Sequence, residues 1–170
     1  ASSSSYIISL IKAISMFNGL SMTDAEICKL AYKLELKMNP YCGYQDPYGC
    51  GIGGFKKIDF FRGGVVKYDF LSTDLFKYYD MALVFTGVTR NSRGVLKSVT
   101  DNLDKAVPLM ETVEKAYDAL MDEDYPEFLE LLNLSWDQKK KTTTHITENK
   151  VIRSMDKVLK ESDSVIAHKS

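Results

Sequence analysis

The stretch YCGYQDPYGCGIGGF runs from Tyr41 to Phe55 and leads into the strand-like run FKKIDFF. It holds five glycines, two cysteines and one carboxylate, Asp46, immediately before Pro47. Two readings fit it. Asp is a preferred helix N-cap and Pro is favoured at the first helical position, so Asp46-Pro47 predicts the start of a short helix. A capping Asp is also held in one orientation, which suits it to orient a hydroxyl or take its proton. A glycine-rich backbone around it lets a ligand lie close.

The segments on either side have clear periods. Ile7, Ile8, Ile11, Ala13, Ile14 and Phe17 fit the buried face of a helix that Gly19 ends. TDAE (Thr23–Glu26) is a capping box, and the helix it opens shows Ile27, Leu30, Ala31, Leu34 and Met38 on one side, with Asn39-Pro40 as its stop. Beyond the glycine-rich loop, Phe55–Phe61 and Val65–Phe70 read as two strands joined by RGG, a hairpin signal. MALVFTG (Met81–Gly87) is a continuous apolar run that suits a strand buried on both faces.

From about residue 91 the pattern is helical. Val95, Leu96 and Val99 mark one segment; Val107, Met110, Val113, Tyr117 and Leu120 a longer one. Phe128, Leu131, Leu132 and Trp136 mark a third, and Val151, Ile152, Met155, Val158 and Leu159 a last. SDSVIAHKS reads as the start of another strand. The fold class expected is α+β in two layers, with a change of character near residue 80 that divides the chain into 1–79 and 80–170.

Composition narrows the function. The chain has 170 residues, 45% hydrophobic and 26% charged, enough for one good core or two small ones. Its net charge of −1, with both signs interspersed, gives no basic stripe for nucleic acid. No apolar run is long enough to span a membrane. The three cysteines, Cys28, Cys42 and Cys50, have neither zinc-site spacing nor a nearby histidine. They read as reduced thiols of a cytoplasmic protein.

Two further features carry possible chemistry. The serines of ASSSSY open a helix, where hydroxyls and free backbone N–H groups meet the positive end of the helix dipole; this suits phosphate, and a serine hydroxyl can also ligate Mg²⁺. A simple serine N-cap fits as well, and no lysine follows to make an ordinary P-loop. Glu35, late in the second helix in KLELK, is either a surface residue beside Lys33 and Lys37 or a second carboxylate for the same site.

In order and spacing these motifs resemble the GHMP small-molecule kinases, the group that includes galactokinase and mevalonate kinase. The heptose-phosphate kinase branch is the nearest in look. Gly43-Tyr44-Gln45-Asp46-Pro47-Tyr48 matches its aspartate motif, with Pro47 where glutamine is usual, and Gly53-Gly54-Phe55 matches the end of that motif. TGVTRNS (Thr86–Ser92) is similar to the pattern that follows a buried strand there, and Ala1 stands where the last loop glycine would be.

The resemblance implies an ATP- and Mg²⁺-dependent kinase acting on a hydroxyl of a sugar or sugar phosphate. A mevalonate-type kinase, or a family member that binds sugar or nucleotide without turnover, is the alternative. It places Ser2, Ser3, Ser4 and Ser5 at the ATP phosphates, Ser3 and Glu35 on Mg²⁺, and Asp46 as the base. Gly43, Tyr44, Gln45 and Arg90 would face the substrate, and Tyr41, Tyr44, Tyr48 and Phe55 could form a stacking wall for the sugar. It also implies that 1–79 ends an N-terminal kinase domain and that 80–170 begins a ferredoxin-like one. The chain is then an internal portion of such a kinase, not active by itself.

Overall fold

The computed structural model describes residues 2–87, 103–142 and 149–169. The chain forms two compact units, residues 1–70 and 71–170. Among the described residues it combines helices with one small sheet and is α+β.

In the first unit, α1 (Ser2–Phe17) and α2 (Asp24–Met38) pack on each other. Helix α1 ends at Gly19 as expected: the Gly19 N–H bonds Met16 O at 3.1 Å and the Leu20 N–H bonds Ser15 O at 2.8 Å, a Schellman closure. The capping box forms at Thr23, whose N–H donates to Glu26 Oε2 at 2.8 Å while its hydroxyl accepts from Glu26 N–H. Helix α2 stops at Met38, with Asn39 as its cap.

The buried faces differ in part from the expected ones. Ile8 and Ile11 of α1 meet Ile27 and Ala31 of α2 in one cluster, but Ile14, Phe17 and Met38 are exposed. The stripe on α1 is Ser4, Ile8, Ile11 and Ser15; that on α2 is Ile27, Cys28, Ala31 and Glu35. Both keep helical spacing, and both contain polar members.

Helix α3 (Gln45–Gly51) packs on α1 and α2. A Cβ on Gly51 would collide with Cys28 Sγ, so glycine at 51 sets how closely α3 approaches α2. Asp46 is not the N-cap. Tyr44 holds that position in helical geometry with no side-chain cap, and Asp46 lies inside the first turn. The helix starts two residues earlier than the Asp-Pro signal implies, at Tyr44, which is anchored by stacking 4.0 Å from Tyr32. At the other end, Lys56 Nζ donates to Ile52 O at 2.6 Å and Gly54 O at 3.3 Å, gathering the last carbonyls of the loop.

Strands β1 (Lys56–Phe61) and β2 (Val65–Phe70) form the expected antiparallel hairpin, with Phe61 opposite Val65 across the Arg62–Gly64 turn.

In the second unit, α4 (Val107–Met121) and α5 (Tyr125–Thr142) form a helical hairpin, followed by α6 (Lys150–Lys160). These helices lie where the periodicity puts them. Within α4, however, the buried residues are Thr112 and Ala119, while Val107, Met110 and Val113 are exposed. Trp136 of α5 is buried and donates from Nε1 to Asp156 Oδ1 at 2.6 Å.

Two expected strands of this unit are absent. Residues 80–86 have no regular structure, and Met81, Leu83 and Phe85 are exposed. A strand buried on both faces needs neighbours to pair with, and the second unit has no strand among the described residues. Residues 162–169 are not a strand either. That segment is tied to α5 by a side chain: Asn133 Nδ2 donates to Ile166 O at 2.8 Å, and the His168 N–H donates to Asn133 Oδ1 at 3.1 Å. The Asn133 amide takes the place of a partner backbone. Val95, Leu96 and Val99 lie outside the described residues.

Asp156 joins these parts. Burial pushes its carboxyl up, but hydrogen bonds from His168, Trp136 and Lys140 outweigh it and hold the group down at about 2. A depressed carboxyl adds stability above its ordinary value, and that stability is lost as pH falls from about 4 towards 2. Asp156→Asn is therefore expected to cost about 1–2 kcal/mol near pH 6, after allowance for solvent screening, and almost nothing at pH 2. Trp136, the sole tryptophan, reports this unit by fluorescence in denaturant titrations at the two pH values.

Candidate active site

The site is built where α1 meets α2. Successive turns of α1 bring Ser4, Ile8 and Ile11 onto one face, and the matching face of α2 ends in Glu35. Glu35 is 6% exposed, far from the surface role that its lysine neighbours suggest. Its Oε1 accepts from Ser3 Oγ at 2.8 Å and from Ser4 Oγ at 2.7 Å. Ser4 is fully buried, whereas Ser2, Ser3 and Ser5 are exposed. Residues 32 apart in the chain, singled out for separate reasons, are thus in direct contact.

Asp46 is exposed in the first turn of α3, on a helix held by the buried Pro47 and Tyr48 that follow it. Cys42 lies in the glycine-rich loop before α3. Burial raises its thiol above the ordinary range, and the charges of Glu35 and of Asp46 raise it further.

The aromatic residues divide. Tyr44 stacks on Tyr32 and lies 5.9 Å from the Phe60 ring, and Tyr48 meets Phe60 edge-on at 6.1 Å and is buried. These contacts make Tyr44 and Tyr48 part of the packing between α2, α3 and the hairpin; Tyr41 and Phe55 are half-buried.

The loop glycines divide too. Gly51 is needed for packing, and Gly54 has a φ of +84°, which disfavours other residues. Nothing lies within 4 Å of where a Cβ would stand on Gly43, Gly49 or Gly53. Gly43 and Gln45 are exposed. Arg90 and Ser92 lie outside the described residues.

The donor set fits Mg²⁺. Ser3 and Glu35 offer hard oxygen atoms, and among the described residues no three His, Cys, Asp or Glu side chains gather. Mg²⁺ is usually bound by one or two carboxylates together with substrate phosphates, not by a full protein cage. No helix among the described residues is long and apolar enough to cross a membrane.

A second polar cluster had no signal in the sequence. Asn133, Asp137, Lys160 and His168 help line a cavity of about 200 Å³ in the second unit, beside the Asp156 network. Asp137 of this cluster also pairs with Lys140 at 2.6 Å.

Residues 1–54 match the model of the GHMP kinases N terminal domain. The likeness to the GHMP kinase family rests on these first 54 residues. Among curated relatives it is 27% identical over 149 residues to the D-glycero-alpha-D-manno-heptose 7-phosphate kinase of Campylobacter jejuni subsp. jejuni, covering 81% of this chain and 44% of that protein. It is 30% identical over 147 residues to the L-fucokinase/L-fucose-1-P guanylyltransferase of Bacteroides fragilis, covering 77% of this chain and 15% of that protein. The chain thus spans less than half the length of either relative. No solved structure gives a significant match. The GHMP match ends at Gly54, so it takes in Ser3, Ser4, Glu35 and Asp46 but not the hairpin or the second unit.

Proposed function

We propose that the protein is an ATP- and Mg²⁺-dependent sugar kinase that transfers the γ-phosphate to a hydroxyl of a sugar or sugar phosphate. The observation that carries this reading is the Ser3–Glu35 contact at 2.8 Å, which joins the serine-rich helix start to a buried acid. Both named relatives are kinases of a sugar or sugar phosphate, which favours such an acceptor over an isoprenoid acid.

Phosphoryl transfer asks mainly for in-line positioning and charge stabilisation. The N-terminus of α1, with the exposed Ser2, Ser3 and Ser5, receives the ATP phosphates through hydroxyl and backbone N–H groups. Ser3 and Glu35 would hold Mg²⁺, which would supply positive charge against the charge that builds on the phosphates. Asp46 accepts the proton of the sugar hydroxyl as its oxygen bonds the γ-phosphorus; the bond from that phosphorus to the β,γ-bridging oxygen breaks, and ADP leaves.

Gly43, Tyr44 and Gln45 border the acceptor, and the open space over Gly43, Gly49 and Gly53 is room for the sugar. Arg90, outside the described residues, is the further substrate-facing residue of this reading. In this reading residues 1–79 close the phosphate-loop domain, 80–170 open a ferredoxin-like one, and the enzyme works in the cytoplasm.

The test is ADP release by the full-length protein with Mg-ATP against hexoses, heptoses, uronic acids, their phosphates and mevalonate. Release that depends on one class of sugar supports the proposal. ATP binding without release on any acceptor contradicts it.

A further inference from the structure

The two serines on Glu35 are not equivalent. Ser3 is exposed, so its hydroxyl can turn towards a ligand without opening the helix pair. Ser4 is fully enclosed between α1 and α2 and cannot reach a phosphate or a metal from where it stands. Its hydroxyl is committed to Glu35 Oε1 at 2.7 Å, the shorter of the two bonds. Among the described residues, both bonds to the Glu35 carboxyl end on Oε1, and Oε2 receives none.

We propose that Ser4 is a positioning residue: its buried hydroxyl anchors Glu35 Oε1, so that Ser3 can leave Glu35 for an incoming divalent cation while the carboxyl keeps its place. This rests on the metal-site reading above. Without Ser4, the departure of Ser3 would leave Oε1 with no donor and the side chain free to rotate. A pre-held ligand loses less freedom when the ion arrives, and groups that orient a metal ligand commonly change metal affinity about 10- to 100-fold.

The test is Mn²⁺ binding to the full-length protein, followed by electron paramagnetic resonance with a non-hydrolysable ATP analogue present. The proteins compared are wild type, Ser4→Ala, Ser4→Cys, Glu35→Gln and the double variant Ser4→Ala/Glu35→Gln. Cysteine fills nearly the same space but is a weak donor, so it removes the anchor without a void. The expected result is binding weakened about tenfold in both Ser4 variants. The double variant should bind no more weakly than Glu35→Gln alone, because Ser4 acts only through Glu35. Ser4 variants that bind as wild type, while Glu35→Gln binds poorly, would overturn the role of Ser4 and leave the metal site standing. Wild-type binding that Glu35→Gln leaves unchanged would overturn the metal site, and the positioning role with it.

Discussion

Glu35→Gln is expected to lower sugar-dependent ADP release about 100- to 1,000-fold, the loss that follows removal of one preorganised electrostatic group from a reacting centre. The fold should survive. Glutamine has nearly the same shape and keeps a carbonyl oxygen that can accept from Ser3 and Ser4. Glu35→Ala separates the two roles of the residue. It leaves the enclosed Ser4 hydroxyl without its acceptor, at a cost of about 1–3 kcal/mol, so that variant should be both inactive and easier to unfold. Thermal melting beside steady-state rates checks both parts. A glutamine variant with near-normal turnover would return Glu35 to a purely structural role.

Asp46→Asn is the second large effect, with turnover expected to fall about 100- to 10,000-fold through loss of the group proposed to take the proton. The structure makes this test cleaner than the sequence suggested. Since Tyr44 is the N-cap of α3, the substitution does not touch the cap. It removes a negative charge from the first turn, worth about 0.3–1 kcal/mol at an exposed helix start. The melting point should therefore barely move while kcat collapses. Parallel measurement of kcat and of ATP affinity completes the check, because affinity for ATP should be almost unchanged.

Much of the first unit could be read from local rules. The capping box at Thr23, the stop at Gly19 and the RGG hairpin each depend on a few adjacent residues, and each forms as expected. The buried faces were harder because periodicity weighs only apolar residues. Ser4, Ser15 and Glu35 complete the two facing stripes, yet hydropathy alone assigns them to solvent. Extending the α1 period of Ile8 and Ile11 to small polar residues would have placed Ser4 inside. Asp46 lies two positions inside α3 instead of at its N-cap, because the cap falls on Tyr44, held by a remote contact with Tyr32 that local sequence does not show.

The errors in the second unit have a different origin. MALVFTG and SDSVIAHKS have strand composition, but a strand is completed by a neighbour, which local sequence does not contain. In the latter case the neighbour is a single side chain, Asn133. The site itself was brought into view by motif spacing and not by local physics: a serine cluster, a late helical glutamate and a glycine-rich aspartate loop each have ordinary explanations alone. The Ser3–Glu35 contact is what the structure adds.

The most direct test of the central claim is phosphorus NMR of the full-length protein incubated with ATP and the panel of sugars and sugar phosphates, with and without Mg²⁺. A new phosphoester signal on a sugar, formed with ADP only when Mg²⁺ is present and missing with Glu35→Gln, is the predicted result. An unchanged ATP spectrum with every acceptor, from protein that binds ATP, would contradict it.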